Sequence, residues 1–334
     1  MARRKVDGLM SKMNNGAEVR KFGSTSLPPN SLVGGDFRRL TAEVRIILIG
    51  KTGSGKSSTG NTILGRSAFS VVPGGSSGTK RCSFFRSPVH KRNVMIVDTP
   101  GLFDSHISLE ETHKELVKCI GLAAPGPHVF LLTIPANIRS SPEELNTLDL
   151  LKNVFGESMV DYTMVVFTKA DEMKRQLLTE ETFFKTLPDQ VHRLVKLCKG
   201  GHLFLDNQSP REKEKQVEAL ISRIEYIMDQ RLHKCYSNDQ FKVANDIMEA
   251  HTSKMKSESL NKRLATVDEE IQEGDRGDTG QEPQQVQVVE DPQQEDGIDD
   301  QARREVADGK GPIAKLMEKL RCFWESIKNF FTKK

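Results

Sequence analysis

The chain has 334 residues, 36% of them hydrophobic and 28% charged, which is too polar for a fully packed chain of this length, so part of it is expected to stay unfolded. Its five cysteines, Cys82, Cys119, Cys198, Cys235 and Cys322, form no CxxC pair, which argues against a disulfide framework or zinc site and for a reducing compartment. No run of 18 apolar residues exists, so no membrane-spanning helix is expected.

The net charge of +3 is a cancellation between segments. Residues 1–40 carry +5, 41–264 carry +5, 265–308 carry −12 and 309–334 carry +5. Blocks of such different sign are expected to have different tasks.

In chain order, residues 1–41 are rich in Ser, Gly, Asn and Pro and read as a flexible basic arm. Met1-Ala2-Arg3-Arg4-Lys5 is basic, but the apolar run of a secretory leader does not follow, and Asp7, Glu18 and Asp36 run against a mitochondrial presequence. From Val44 the texture changes. Apolar runs at 44–49, 94–97, 129–134, 162–167 and 202–205 are separated by segments long enough for a helix each, the pattern of parallel strands buried on both faces. An α/β domain over 42–232 is therefore predicted. It is followed by a helical extension (233–271), an acidic, Gln-rich disordered linker (272–309) and a basic amphipathic helix (310–334).

Directly after the first run comes Gly50-Lys51-Thr52-Gly53-Ser54-Gly55-Lys56-Ser57, which fits GxxxxGK[ST] in a strand-to-helix context. Glycines let the backbone wrap an oxyanion, the helix N-terminus adds positive potential, Lys56 reaches the outer phosphates and Ser57 can ligate magnesium. Forty-two residues after Lys56 lies Asp98-Thr99-Pro100-Gly101, at the end of a buried strand. A carboxylate there can hold a magnesium-bound water, and the Gly101 N–H can meet a γ-phosphate. The next strand ends in Thr168-Lys169-Ala170-Asp171. A carboxylate at Asp171 can accept from guanine N1–H and the 2-amino group, whereas adenine would leave that charge unpaired.

With these three boxes in order, the sequence resembles the GTPase of immunity-associated protein (GIMAP) family, a TRAFAC-class group with an AIG-type G domain. The resemblance runs from about residue 43 to 250 and rests on VRIILIGKTGSGKSSTGNTILG, the threonine in SSGTKRC, VDTPGLFD, AAPGPHVFLLTIPANIRSSPEE, VFTKADE and HLFLDNQS. It implies a Ras-like P-loop NTPase fold, a doubly wound and mostly parallel sheet with a C-terminal helical extension. It also implies GTP/GDP and Mg2+ as ligands. Gly50 through Ser58 would wrap the phosphates, and Ser57, Thr79 and Asp98 would hold the metal, Thr79 as the switch threonine. Gly101 would sense the γ-phosphate, Thr168, Lys169 and Asp171 would hold the base, and Asn207 would complete the base pocket. Three departures stand out. Lys169-Ala170 precede Asp171 where the family has two basic residues, Ser70 falls one place early for the family's Phe-x-Ser contact, and Asn207 sits in LDN rather than an asparagine pair.

Leu102 stands where Ras-like enzymes place a water-orienting Gln, so a lone domain should turn over slowly. The resemblance implies self-association through the G domain, with Arg139 as an arginine finger in trans; the alternative is a nucleotide-gated scaffold with negligible hydrolysis. Arg139 can also be a solvated loop residue beside Ser140, Ser141 and Pro142, and His128, after Gly-Pro at a strand head, reads as structural.

Residues Ile313, Leu316, Met317, Leu320, Phe323, Trp324, Ile327, Phe330 and Phe331 fall within an arc of about 140° on a helix, with Lys315, Glu318, Arg321, Glu325 and Lys328 outside it. A membrane surface, the chain's own G domain and a partner helix are the three candidates to cover that stripe, the basic flank favouring lipid. The expected location is the cytoplasm, peripheral on cytosolic membrane faces. Nucleic-acid binding is not expected, because no basic patch interleaved with aromatics appears.

Overall fold

The computed structural model describes residues 43–71, 79–101, 108–137, 149, 151–231, 235–274 and 292–332, with backbone alone at 267–274, 292–296 and 329–332. Six strands form one sheet: β1 (Glu43–Ile49), β2 (Ser83–Val89), β3 (Arg92–Asp98), β4 (Val129–Pro135), β5 (Thr163–Thr168) and β6 (His202–Leu205). Their order is β2-β3-β1-β4-β5-β6. All pairings are parallel except β2 with β3, an antiparallel hairpin turned at His90 and Lys91, both at positive φ.

The unbroken apolar runs have a direct explanation. In β1, Ile47 and Ile49 point to one face while Val44, Ile46 and Leu48 point to the other, and each set joins its own buried cluster. One face is covered by α1 (Lys56–Leu64) through Ile63 and Leu64, and by α6 (Lys213–Asp229) through Val217, Leu220, Ile221, Ile224 and Ile227. The other receives α2 (Leu109–Ala123), whose N-terminus is closed by a capping box between Ser108 and Glu111. Short helices α3 (Ala170–Arg175), α4 (Glu180–Thr186) and α5 (Asp189–Leu197) lie between β5 and β6.

The expected helical extension is present, and two other expectations for the C-terminal part are corrected. The helical extension, α7 (Asp239–Gly274), buries Phe241, Ala244, Ile247 and Met248 in the same cluster as α2, so it belongs to the domain core at its start. The acidic segment expected to lack order contains α8 (Pro292–Ala307), which buries Ala302 and Val306. Averaged composition hid this, because a helix lying on a prepared surface needs few apolar residues of its own. The predicted single helix over 310–334 is two, α9 (Ile313–Lys319) and α10 (Arg321–Thr332), broken at Leu320. Its stripe of Ile313, Leu316, Leu320, Trp324 and Ile327 is buried on the chain's own α2 and α7 side. Self-packing, one of the three candidates, is thus the arrangement observed.

Tyr236 and the box Ala124-Pro125-Gly126-Pro127-His128 lock this architecture together. The Tyr236 N–H donates to Pro127 O (2.7 Å), the His128 N–H to Arg45 O (2.8 Å), and the Arg45 N–H to His128 Nδ1 (2.8 Å). His128 therefore ties the head of β4 to β1. Gly126 (φ +149) meets the Tyr236 carbonyl so closely that a Cβ would lie 1.7 Å from its oxygen.

Candidate functional site: a phosphate cradle at the sheet switch point

β1 lies between β3 and β4, where the strand order reverses, and the loop leaving its C-terminal end runs straight into α1. In open α/β sheets such a crevice is where ligands bind. The loop's shape is fixed by its neighbours. Gly50 (φ +143) packs on Thr133, and the Ser54 and Thr133 hydroxyls share a 2.6 Å hydrogen bond. The Thr168 hydroxyl donates to Ser54 O (2.7 Å), tying the phosphate loop to the tip of β5, where the Thr168-Lys169-Ala170-Asp171 box begins. Gly55 takes a left-handed conformation (φ +92) against Thr168, starting α1 with its first-turn N–H groups turned to the cradle.

Lys56 is buried and donates from Nζ to Gly50 O (2.9 Å) and Lys51 O (2.8 Å), curling over the cradle it would fill with an anion bound. The Ser57 hydroxyl donates to Asp98 Oδ2 (2.6 Å) and lies 2.8 Å from Thr79 Oγ1, which itself donates to the same carboxylate oxygen (3.3 Å). Asp98 Oδ1 is buried without a hydrogen-bond partner. Burial pushes the Asp98 pKa above the ordinary carboxylate value, against the opposing pull of the Ser57 hydrogen bond, the Lys56 charge and the Thr79 hydrogen bond. Two hydroxyls and a carboxylate with one oxygen unsatisfied form an all-oxygen donor set, which fits a hard divalent cation or its bound water.

Gly101 is buried against the same loop, and a Cβ there would lie 2.2 Å from Thr52 Oγ1. Thr99 anchors the β3 tip by donating to Leu48 O (2.7 Å).

Beyond the tip of β5, Lys169 takes a left-handed conformation (φ +57) at the start of α3, and Asp171 sits in the first turn of that helix, paired with Arg175. Asn207 differs from its expected role in the base pocket. The Thr62 hydroxyl donates to its Oδ1 (2.8 Å) and its Nδ2 donates to Thr59 (3.4 Å), so in this structure Asn207 ties the loop after β6 to α1. The neighbouring Asp206 closes that loop by accepting from the Gln208 and Ser209 N–H groups.

Ser70 is exposed, just past Phe69, whose backbone is gripped by Asn61 at both N–H and carbonyl. Ser58 is half-buried on α1. Leu102, Arg139 and the arm over 1–41 lie outside the described residues.

Sequence reasoning missed Glu115. Its carboxylate accepts the Cys82 N–H (2.6 Å) and pairs with buried Lys118 (2.9 Å), linking the segment after Thr79 to α2. A Glu-x-x-Lys pair inside an otherwise buried helix was the available signal.

A GxxxxGKS loop at the switch point, a Ser-Thr-Asp oxygen cluster beside it and a TKxD box at a neighbouring strand tip together define the fold of a P-loop GTPase. The AIG1 family model matches residues 44–258, and the chain belongs to that family.

Immune-associated nucleotide-binding protein 7 of Arabidopsis thaliana is 32% identical over 229 residues, which are 66% of this chain and 73% of that protein. Immune-associated nucleotide-binding protein 10 of the same plant is 35% identical over 189 residues, 55% of this chain but 41% of that relative, so the chain spans under half of its length. Among solved structures, Toc33 from Arabidopsis thaliana in complex with GDP and Mg2+ aligns at 19% identity and TM-score 0.45 over 57% of this chain and 86% of that one.

Proposed function

We propose that this protein binds GTP and GDP with Mg2+, hydrolyses GTP slowly, and self-associates through its G domain when GTP is bound. The observation that carries the nucleotide reading is the Ser57-Thr79-Asp98 oxygen cluster, with Asp98 Oδ1 unsatisfied, next to the phosphate loop. The cation would be held by Ser57, Thr79 and Asp98 and would supply positive charge to the β- and γ-phosphates. Gly50 through Ser58 wrap the phosphates in this reading, with Lys56 leaving the Gly50 and Lys51 carbonyls to meet them.

Thr168 and Lys169 shape the base site, and Asp171 selects guanine once Arg175 swings aside. Asn207 contributes by holding the loop after β6 in place. Gly101 meets the γ-phosphate, and Leu102 leaves the attacking water without a side-chain partner, which supports slow turnover in a lone chain. Arg139 acts in trans in the assembled form. For the chloroplast translocon components Toc33 and Toc159, dimerization is described as important for GTPase activity. Residues 310–334 attach the chain to an anionic cytosolic membrane face, supported by their basic flank and apolar stripe.

Competition binding tests the base. GTP should displace a fluorescent GDP at concentrations about a thousandfold below ATP, and equal displacement would overturn the guanine reading. Specific activity should rise with protein concentration, and an Arg139→Ala variant that keeps that rise would remove the finger.

A further inference from the structure

Helix α2 buries several polar side chains, among them Thr112, His113, Glu115 and Lys118. Two of these have local surroundings that account for them. The Thr112 hydroxyl donates to Ser108 O (2.9 Å) at the helix start, and the His113 ring stacks on Trp324, with Nε2 buried and unpartnered. Glu115 and Lys118 instead form an ion pair (2.9 Å) whose side chains are 8% and 2% exposed. The attraction inside so dry a pair roughly offsets the cost of desolvating it, and two apolar residues would serve the fold as well. Stability alone therefore does not explain the pair.

What it holds is the segment that carries Thr79. Glu115 Oε2 accepts the Cys82 N–H (2.6 Å), Oε1 accepts from Lys118 Nζ (2.9 Å), and the Glu115 carbonyl accepts the Cys82 thiol (3.1 Å). Burial first, then the neighbouring Cys119 thiol and the Glu115 and Asp98 charges, holds the Cys82 thiol well above its ordinary pKa, so it stays a neutral donor. Cys82 is thus fastened to α2 at both its N–H and its side chain by one residue.

The fastening point lies between two parts of the cation cluster. Three residues back, at most about 11 Å of extended chain, Thr79 Oγ1 donates to Asp98 Oδ2 (3.3 Å) and lies 2.8 Å from Ser57 Oγ. One residue forward, Ser83 begins β2 as the ladder partner of Asp98 itself. Of the residues between Thr79 and Ser83, Lys80 and Arg81 are exposed and Cys82 is buried. Glu115 therefore grips this short span at its buried residue, midway between the Thr79 hydroxyl and the strand that carries the metal-facing carboxylate.

We propose that Glu115 is a positioning residue for the cation site: by holding Cys82 it sets where Thr79 stands relative to Ser57 and Asp98, and Lys118 keeps its carboxylate aimed. The proposal rests on the Mg2+ reading above and adds to it a residue that acts on the cation through another. Groups that orient a metal's ligands in this way change its affinity by about ten- to a hundredfold.

The test uses the full chain and a non-hydrolysable GTP analogue, with affinity measured in Mg2+ and in EDTA; the ratio is the Mg2+ gain. Glu115→Leu with Lys118→Met replaces the pair by apolar side chains and strands no buried charge, so it should unfold at no lower urea concentration than wild type. Its affinity in EDTA should match wild type, because the phosphate loop is untouched, while the Mg2+ gain should fall about ten- to a hundredfold. Glu115→Gln with Lys118→Met is equally uncharged but keeps an acceptor for the Cys82 N–H, and should retain the wild-type gain.

An unchanged gain in the Leu/Met variant overturns the role of Glu115 and leaves the cation reading standing. Loss of the gain in both double variants assigns the effect to packing rather than to the Cys82 hydrogen bond, and also overturns it. No Mg2+ gain in wild type overturns the cation reading itself. A measurement on wild type needs no variant to fold. Linkage requires the bound cation to tighten the grip on Cys82 in return, so Mg2+ with the analogue should slow amide exchange at Cys82 about tenfold more than at His128, whose N–H donates to Arg45 O at the far end of β1. Equal slowing at the two amides overturns the coupling.

Discussion

The Ser57 hydroxyl donates to Asp98 Oδ2 across 2.6 Å, so the first residue pair expected to meet a cation already meets itself. The other carboxylate oxygen has no partner, and burial raises the pKa of the group. An ionised Asp98 is thus a cost to the fold at neutral pH. The cost is relieved either by a proton, as pH falls through the raised folded value, or by a cation.

Asp98→Asn should therefore melt no lower than wild type without nucleotide. It should lose at least about tenfold of the Mg2+-dependent gain in GDP affinity, measured by calorimetry with and without Mg2+. In the wild type that Mg2+-dependent gain should shrink as pH is lowered into the acid range, because proton and cation compete for one carboxylate. A gain that is constant down to the ordinary carboxylate value would contradict the geometry.

Asp171 offers a test of base choice by complementarity. Replacing it with Asn turns one acceptor into a donor. The variant should lose about a hundredfold or more in GDP affinity and gain affinity for xanthosine diphosphate, whose 2-oxo group accepts where guanine donates. Arg175→Ala, which frees the Asp171 carboxylate from its partner, should change GDP affinity by no more than a few fold, since Arg175 is largely exposed.

Much of the phosphate-loop end was legible in the sequence because its constraints are local. A phosphate loop must be a glycine-rich strand-to-helix turn, and Gly50 to Ser57 carry both their chemistry and their position in consecutive residues. The strands were legible for a related reason: β1, β4 and β5 are buried on both faces and so read as unbroken apolar runs. Asn207 was not, because nothing in LDN says whether an amide turns to a base or to the Thr59 and Thr62 hydroxyls. The destination of Trp324 was hidden for a different reason. An amphipathic stripe states that a face will be covered but not by what, and its acceptor, His113, lies more than two hundred residues away in sequence. In α8 only a few inward residues matter, and one of them, Arg303, counts as polar in any composition average.

His113 also carries a pH prediction. Burial lowers its pKa, with the Glu325 charge opposing, so the folded state holds it neutral. Above the ordinary histidine value both folded and unfolded chains are neutral at this site and it adds no pH dependence. As pH falls below about 6.5 the unfolded chain takes up the proton first, and the fold loses stability until the lowered folded value is reached. His113→Phe keeps a ring for Trp324 and removes the unpartnered nitrogen. Its melting temperature should be at least that of the wild type at pH 7.5, and the difference in its favour should grow between pH 6.5 and 5. A constant difference over that range would show that His113 does not titrate against the fold.

The box from Ala124 to His128 is open to a sharper test than any ligand experiment. Gly126 holds φ +149, where a side chain is strained, and a Cβ would lie 1.7 Å from the Tyr236 carbonyl oxygen, a backbone atom that cannot rotate away. That carbonyl belongs to the residue whose N–H binds Pro127 O and whose ring sits in the core between Phe130, Tyr162 and Phe241. Moving it means moving the start of α7. Gly126→Ala should therefore cost about 3 kcal/mol or more in urea unfolding, at the top of the range for single substitutions. Gly53→Ala is the matched control in the phosphate loop. Gly53 also has positive φ, yet a Cβ there meets nothing within 4 Å, so its cost should be limited to backbone strain of about 1 kcal/mol. If the two variants lose equal stability, then close packing on Tyr236 is not what the box provides. If Gly126→Ala alone collapses, the box is a structural lock between β1, β4 and α7 rather than part of the nucleotide site.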